Sequence, residues 1–296
     1  MESVLCQTYR GFELIVVDDG STDDSLTMAK KVLESEGSSV DWQLIHQENT
    51  GVGTARNNGV NASRGEFICF LDADDWWEPA FLERMDWLIG AYPDAGIYGT
   101  NYYIISRGRR RTALHIPNTG YINYCNCYRR LQMPLTSISV AIPQSVFRNM
   151  NGFKPHLKLG EDFDLWIRTA LTHKVAYLDE PLAYYFQDSN PIWRGTGHLT
   201  PPETHMLWNL SYLDPEEKTN PDYKRLIDEL RINGLLSYHL SDKYRESART
   251  ELAKVDWSKQ PFWIRLKYKC PVSLLRVLRR FRKTGSRLKQ WIIKHL

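Results

Sequence analysis

Three acidic groupings stand out along the chain: Asp18-Asp19, Asp72-Ala-Asp74-Asp75 and Glu161-Asp162. Carboxylates set side by side repel, so such clusters cost free energy unless a cation sits among them or water reaches them. Carboxylate oxygens select hard cations. Mg2+ or Mn2+ is typically held by one or two protein carboxylates together with substrate phosphates. Asp72 and Asp74, two apart in an extended segment, would send both side chains to one side. A metal there, shared with a nucleotide diphosphate, would stabilise charge on the leaving group. A calcium loop does not fit, because the glycine and later glutamate at loop spacing are missing. The chain also has no Gly-rich Lys-Ser/Thr loop and no Gly-x-Gly-x-x-Gly turn after a strand, which leaves a metal rather than a glycine cradle to hold phosphate.

The elements around these groups explain where they sit. Glu13-Leu-Ile-Val-Val-Asp18 is a short apolar run rich in β-branched residues, as in a strand covered on both faces. A turn follows, and Ser21 or Thr22 is placed to cap a helix running to about Glu36. Trp42–His46 reads as a strand, Gly53–Ala62 as a helix, and Glu66–Leu71 as a third strand ending in the acidic cluster; Pro79 starts a helix over Ala80–Ile89. Strands are predicted at Ala95–Ile105, Ser137–Ile142 and Val175–Leu178, with a solvated hairpin or loop at Arg107–Arg111. Asp162–Leu171 reads as a helix, and Asp222–Leu240 with Tyr244–Val255 as an antiparallel helical pair. Alternating strands and helices predict an α/β fold with a doubly wound, mostly parallel sheet, in which ligands bind at the carboxyl ends of strands. Asp18-Asp19 and Asp72–Asp75 both lie at such ends.

Four blocks, in order, resemble glycosyltransferase family 2: Phe12-Glu-Leu-Ile-Val-Val-Asp-Asp-Gly-Ser-Thr-Asp23, Asn49-Thr-Gly-Val-Gly-Thr-Ala-Arg-Asn-Asn-Gly59, Gly65–Asp75 and Gly160-Glu-Asp-Phe-Asp-Leu-Trp166. The resemblance spans roughly residues 1–190. It implies the GT-A fold and, as a rule, inverting transfer from a nucleotide-diphosphate sugar. By the same resemblance, Asp18 and Asp19 hold the base and ribose, and Arg56 and Asn57 line the nucleotide pocket. Asp72 and Asp74 match the Asp-x-Asp element, with Asp74 the stronger metal ligand. Asp162 matches the base that deprotonates the acceptor hydroxyl.

The residues are compatible with that last role. An inverting transfer needs one carboxylate on the sugar face opposite the leaving diphosphate, and no covalent intermediate. Glu161 beside Asp162 would raise its affinity for a proton. The competing reading is a pair of acids in the first turn of a helix, favoured by the helix dipole. Processive members carry Gln-x-x-Arg-Trp after the base; its absence implies addition of a single sugar. Members also place a basic residue after the aromatic pair, where this chain has Tyr184-Tyr185-Phe186. Arg194 or His198, in the following loop, is the expected substitute for the diphosphate contact.

Charge divides the chain. The formal total is +3, but ten Lys and Arg with no acid lie from Lys267 onward, so residues 1–266 carry −7. An acidic body excludes general nucleic-acid binding, and the basic tail points to an anionic partner. On a helical wheel of 100° per residue, Leu274, Val277, Leu278, Phe281, Leu288, Ile292 and Leu296 fall within about 60° of one another's centre, with Arg276, Arg279, Arg280, Lys283, Arg287 and Lys294 opposite. This predicts a basic amphipathic helix over Ser273–Leu296 at an anionic membrane surface, where lipid-linked sugar acceptors of envelope glycan assembly lie. Five scattered cysteines without a signal peptide predict reduced thiols and a cytoplasmic protein, peripheral at the inner face of the membrane.

The expected organisation is a glycosyltransferase domain at 1–200, a helical extension at 201–266 and a basic tail at 267–296. Met1-Glu-Ser-Val-Leu-Cys-Gln-Thr-Tyr9 resembles the end of the family's first helix, so a strand neighbouring Glu13–Asp18 and its Pro-x-Tyr-Asn-like loop are expected upstream. Two alternatives follow: a catalytically silent sugar-nucleotide binder lacking that strand, and a nucleotidyltransferase, which the want of a Gly-rich, Arg-containing opening loop disfavours.

Overall fold

A computed structural model describes residues 1–37, 40–117, 119–128, 133–187 and 199–277. The chain divides into two compact units, Met1–Tyr212 and Leu213–Leu296. Residues 204–206 belong to the first, because Lys158 N–H donates to Thr204 O (2.8 Å) and Met206 N–H to Leu159 O (3.1 Å).

The first unit opens with α1 (Glu2–Leu5), β1 (Glu13–Asp19), α2 (Ser25–Glu36), β2 (Asp41–Gln47) and α3 (Val52–Ala62). β1 and β2 pair in parallel from Glu13↔Asp41 to Asp19↔Gln47. The expected cap of α2 at Ser21 or Thr22 is not the observed one. The helix starts after Asp24, and the Asp23 carboxylate accepts the Ser25 N–H at 3.0 Å. An Asx turn has captured that donor first.

There follow β3 (Phe67–Cys69), β4 (Trp76–Trp77), α4 (Phe81–Ala91), β5 (Ala95–Ser106), β6 (Arg109–Thr112), β7 (Gly120–Ile122) and α5 (Tyr124–Cys127). The unit's remaining elements are β8 (Val140–Pro143), α6 (Gln144–Asn149), α7 (Glu161–Thr172) and β9 (Lys174–Phe186). Seven strands form one sheet in the order β3-β8-β5-β9-β4, with β6 on β5 and β7 on β9. The α/β class is as expected, but the pairing is more antiparallel than the sequence pattern implies. Among the described residues, β1–β2 and β5–β9 are parallel and the other five pairings antiparallel. β8 lies between β3 and β5 and runs against both. β6 returns from β5 through Arg107 and Gly108, both at positive φ (52° and 67°), the turn geometry that matches strand twist.

Two strands differ in length from expectation. β9 runs through Pro181, where a reader of the sequence stops it. The register with β5 shifts on both sides of Asn101↔Pro181, and a shift there spares the ladder the N–H that proline lacks. Over Ser137–Ile142 the first three residues form a 3-10 turn, and the strand begins only at Val140. β1 pairs only with β2 and β3 only with β8, so the β1–β2 pair stands apart from the larger sheet among the described residues. Leu14, Ile15, Val16 and Val17 are accordingly only half-buried. The core lies elsewhere, where Trp77 stacks on Phe81 (4.3 Å between centroids) among Met85, Leu88, Tyr98 and Leu178.

The second unit holds α8 (Asp214–Thr219), α9 (Pro221–Gly234), α10 (Leu236–His239), α11 (Arg245–Leu252) and α12 (Phe262–Lys269). The helix expected over Asp222–Leu240 is thus interrupted at Leu235. Its interior contains Arg231, 1% exposed, bonded to both oxygens of Glu217 (2.5 and 3.0 Å). Residues 272–277 are helical, and Arg276, expected on the basic face of an amphipathic helix at a membrane surface, donates to Leu240 O at 2.7 and 2.9 Å. The basic tail from residue 278 onward lies outside the described residues. No helix among the described residues is long and apolar enough to cross a membrane.

Candidate active site

The carboxyl end of β1 fixes how the next block is presented. Asp19 accepts the N–H groups of Thr50 and Gly51, each at 2.9 Å, and the Gln47 amide at 2.8 Å, so the loop leading into α3 is tied to the strand end. Gly20 (φ 72°) lets Asn49 come close; a Cβ there would stand 2.7 Å from the Asn49 nitrogen. Asp18 is buried and bonds His46 Nδ1 at 2.7 Å. Burial alone would raise its pKa, but hydrogen bonds from Ser21 and the His46 ring outweigh that and hold the carboxyl below its usual range. Asp19 is thus occupied by protein donors, where the resemblance implied base and ribose.

Held this way, α3 points two consecutive side chains at other blocks. Arg56 donates to Asp72 Oδ1 at 2.6 Å and to Glu161 Oε1 at 3.1 Å, and its guanidinium lies 5.3 Å from the centre of the Phe153 ring. Its two carboxylate partners raise its pKa against the opposing effect of burial. Asn57 clamps a backbone: its amide donates to Phe153 O at 2.8 Å and accepts Phe153 N–H at 3.0 Å.

The acidic cluster is not the extended segment its spacing suggested. Asp75 N–H donates to Asp72 O (3.1 Å), closing a turn that sends the three carboxylates to different environments. Asp72 takes Arg56. Asp75 is buried and accepts the Phe186 N–H at 2.7 Å, tying the turn to the end of β9. Asp74 is exposed and has no hydrogen bond or ion pair among the described residues. No group of three or more His, Cys, Asp or Glu is gathered as a ready metal cage among the described residues. The donor set nevertheless suits a hard cation that takes one or two carboxylates and completes its shell with phosphate and water.

The fourth block enters through Gly160, whose φ of 80° and close packing against Met206 exclude a side chain. α7 then starts with Glu161, Asp162 and Asp164 in its first turn. Burial, and then Glu161 beside it, push the Asp162 carboxyl up to about 7 against the pull of Arg56. Asp164, which spacing did not single out, is fully buried between Lys154 Nζ and Arg168 Nε, both at 2.8 Å, and Arg168 also donates to Gly152 O. Its i,i+4 arginine was the available signal. Trp76, next to the acidic turn, is 37% exposed and stacks on Tyr184 at 4.9 Å. Arg194 and His198 lie outside the described residues.

The chain was compared with known proteins. The family model described as Glycosyl transferase family 2 matches residues 1–155. The glycosyltransferase GlyA of Streptococcus pneumoniae is 36% identical over 123 residues, which is 41% of this chain and 17% of that protein. Among solved structures, Staphylococcus aureus TarS in complex with UDP-GlcNAc superposes with a TM-score of 0.56 at 18% identity, covering 86% of this chain and 65% of that one. The mannosyltransferase PcManGT of Pyrobaculum calidifontis, in complex with GDP-Man and Mn2+, gives 0.56 at 14% identity over 98% and 77%. These similarities show the GT-A fold. The chain spans about a quarter or less of the length of the curated relatives it matches first.

Proposed function

The chain belongs to glycosyl transferase family 2, and we propose that it moves a single sugar, with inversion, from a nucleotide-diphosphate donor to a hydroxyl of a glycan or lipid-linked acceptor. One observation carries the reading. The Arg56 guanidinium joins Asp72 of the acidic turn to Glu161, the neighbour of Asp162. Three separated blocks therefore meet at one side chain.

In this reading Asp74, with Asp72, would hold Mg2+ or Mn2+, which would supply charge neutralisation at the leaving group. Asp162, ionised, accepts the proton of the acceptor hydroxyl as that oxygen bonds to the anomeric carbon; the nucleoside diphosphate departs from the opposite face. A carboxyl with a pKa near 7 is matched to that task at neutral pH. Arg56 holds the neighbouring Glu161 by an ion pair at 3.1 Å. Asp18 and Asp19 shape the nucleoside end, Asp19 by fixing the Thr50–Gly51 loop, and Asn57 secures the Phe153 wall. The Trp76–Tyr184 stack offers an exposed aromatic face for an acceptor sugar ring. The basic tail brings the enzyme to an anionic membrane surface, in the setting of bacterial surface polysaccharide assembly.

The test is a transfer assay with UDP- and GDP-sugars and Mn2+, read as nucleoside diphosphate released and glycoside formed. Activity that survives chelation removes the metal from the reading, and turnover retained in Asp162→Asn removes the base. A second reading, binding of sugar nucleotide without transfer, is favoured by the separation of β1–β2 from the larger sheet. Calorimetry decides between them: nucleotide binding with no turnover on any donor supports the silent form.

A further inference from the structure

Apart from the transfer reaction, the second unit contains a cleft of about 640 Å3 between α10, α11 and α12, within the ~300–1,000 Å3 range of small-molecule sites. Three cations, Arg249, Arg265 and Lys269, lie on its wall, and no acid is among the lining residues. Arg249 is shared with Glu246 at 2.8 Å. Its floor is aromatic: Tyr268 lies 5.2 Å from Trp257 and 5.4 Å from His239.

Buried donors there lack partners. His239 is 6% exposed, and among the described residues neither ring nitrogen has a hydrogen bond and the buried Nε of Arg265 has none either. Leaving such groups unsatisfied costs free energy, so a ligand that accepts hydrogen bonds would be bound in part by relieving that cost. Burial, and then Arg249 and Arg245, lower the pKa of the imidazole, and the neutral ring still donates one N–H.

What surrounds the cleft selects among anions. On α12, Phe262 is 60%, Trp263 74% and Leu266 42% exposed, and just beyond it Leu274 and Val277 are 46% and 44% exposed. In the second unit every large exposed apolar side chain among the described residues falls in this stretch. An aromatic and aliphatic group beside a cationic, acid-free cleft is complementary to a membrane surface: apolar side chains enter the acyl boundary while a phosphate sits among the cations.

We propose that the cleft binds the phosphodiester headgroup of an anionic phospholipid, with Phe262, Trp263 and Leu266 seated in the bilayer interface. This site lies in residues 239–272 and is separate from the attraction of the basic tail.

The experiment uses the full chain and sedimentation with phosphatidylglycerol-containing vesicles, against vesicles of phosphatidylcholine alone. The double variant Arg265→Gln/Lys269→Gln should lower partitioning at least about tenfold, from ~1 kcal/mol per basic residue at the surface. The variant Lys218→Gln/Lys243→Gln removes the same charge at exposed positions outside the cleft and should stay near the parent. Trp263→Ser should weaken binding as well. Ser258→Glu, which adds an acid at an exposed cleft position, should do so without touching a cation and guards against misfolding of the double variant. Equal losses in the two double variants would overturn the proposal, since the tail's charge alone would then explain binding. So would equal partitioning onto phosphatidylcholine, an unaffected Trp263→Ser, or tight binding of soluble glycerol phosphate by a chain that ignores vesicles.

Discussion

Arg56 and Glu161 stand 105 positions apart and meet at 3.1 Å, while the other terminal nitrogen of the same guanidinium reaches Asp72 at 2.6 Å. This answers how the chain tolerates its crowded carboxylates. A built-in cation pairs with Asp72, a backbone N–H from Phe186 reaches Oδ1 of Asp75, and Asp74 is open to water. Two of the three carboxylates thus have protein partners of their own, and in the reading proposed above Asp74 would be the exposed ligand of the metal, with Asp72 shared between that ion and Arg56.

Replacing Arg56 with Met should cost about 3 kcal/mol, the low end for breaking a buried pair, because Asp72 is a third exposed while Glu161 is 12% exposed. The loss also removes the one nearby charge that lowers the Asp162 pKa. The acid limb of the activity profile should then move to higher pH. Urea unfolding and a pH–rate profile check the two parts separately.

Asp162 gives a signed pH dependence. As a base it works ionised, so kcat/KM should fall on the acid side with a midpoint near 7 and level off above. Stability should run the other way. The folded carboxyl holds its proton up to about 7, the unfolded one only to about 3.8, so stability declines as pH rises through that window and is flat above it. Asp162→Asn should abolish transfer, yet melt higher than the parent at pH 8 and no higher near pH 3.

Asp74→Asn should weaken Mn2+ activation at least about tenfold at saturating donor, the loss of one carboxylate ligand being of that order. Because Asp74 is exposed and unbonded among the described residues, its melting temperature should match the parent's, within about 0.5 kcal/mol of stability. Manganese titration and calorimetric unfolding on the same sample check both.

Asp164→Asn should destabilise by about 3 kcal/mol, the low end for breaking a buried pair, since Asp164 is fully buried while Lys154 and Arg168 are 29% and 13% exposed. The network also anchors the Gly152–Phe153 loop that Asn57 grips. Any residual activity should therefore show a raised donor KM before a lowered kcat, measurable below the melting point.

The sequence pattern located β1, β2, α3 and α7 to within a residue or two, because each is bounded by its own local signals: a β-branched run, a turn, a glycine. It placed the three acidic groups at element ends and Arg56 within a helix, and the structure brings Arg56, Asp72, Glu161 and Asp162 together. What it could not show is which partner each polar group takes. Spacing made Asp72-Ala-Asp74 extended, whereas the Asp75 N–H to Asp72 O bond folds it. Asp19 and Asn57 look like ligand contacts in a one-dimensional reading. Their partners, Thr50, Gly51 and Phe153, are 31 to 96 positions away. β9 outran its apolar signal because β5, not local composition, carries it past Pro181.

The lone pairing of β1 also governs how the purified protein should behave. A strand that pairs on one edge only among the described residues, and whose Leu14, Ile15, Val16 and Val17 are half-buried, is adhesive toward any other extended backbone. Light scattering of concentrated samples should therefore climb with protein concentration more steeply than with added salt. Small aggregates should be joined backbone to backbone along Glu13–Asp19, where amide exchange would slow as copies associate.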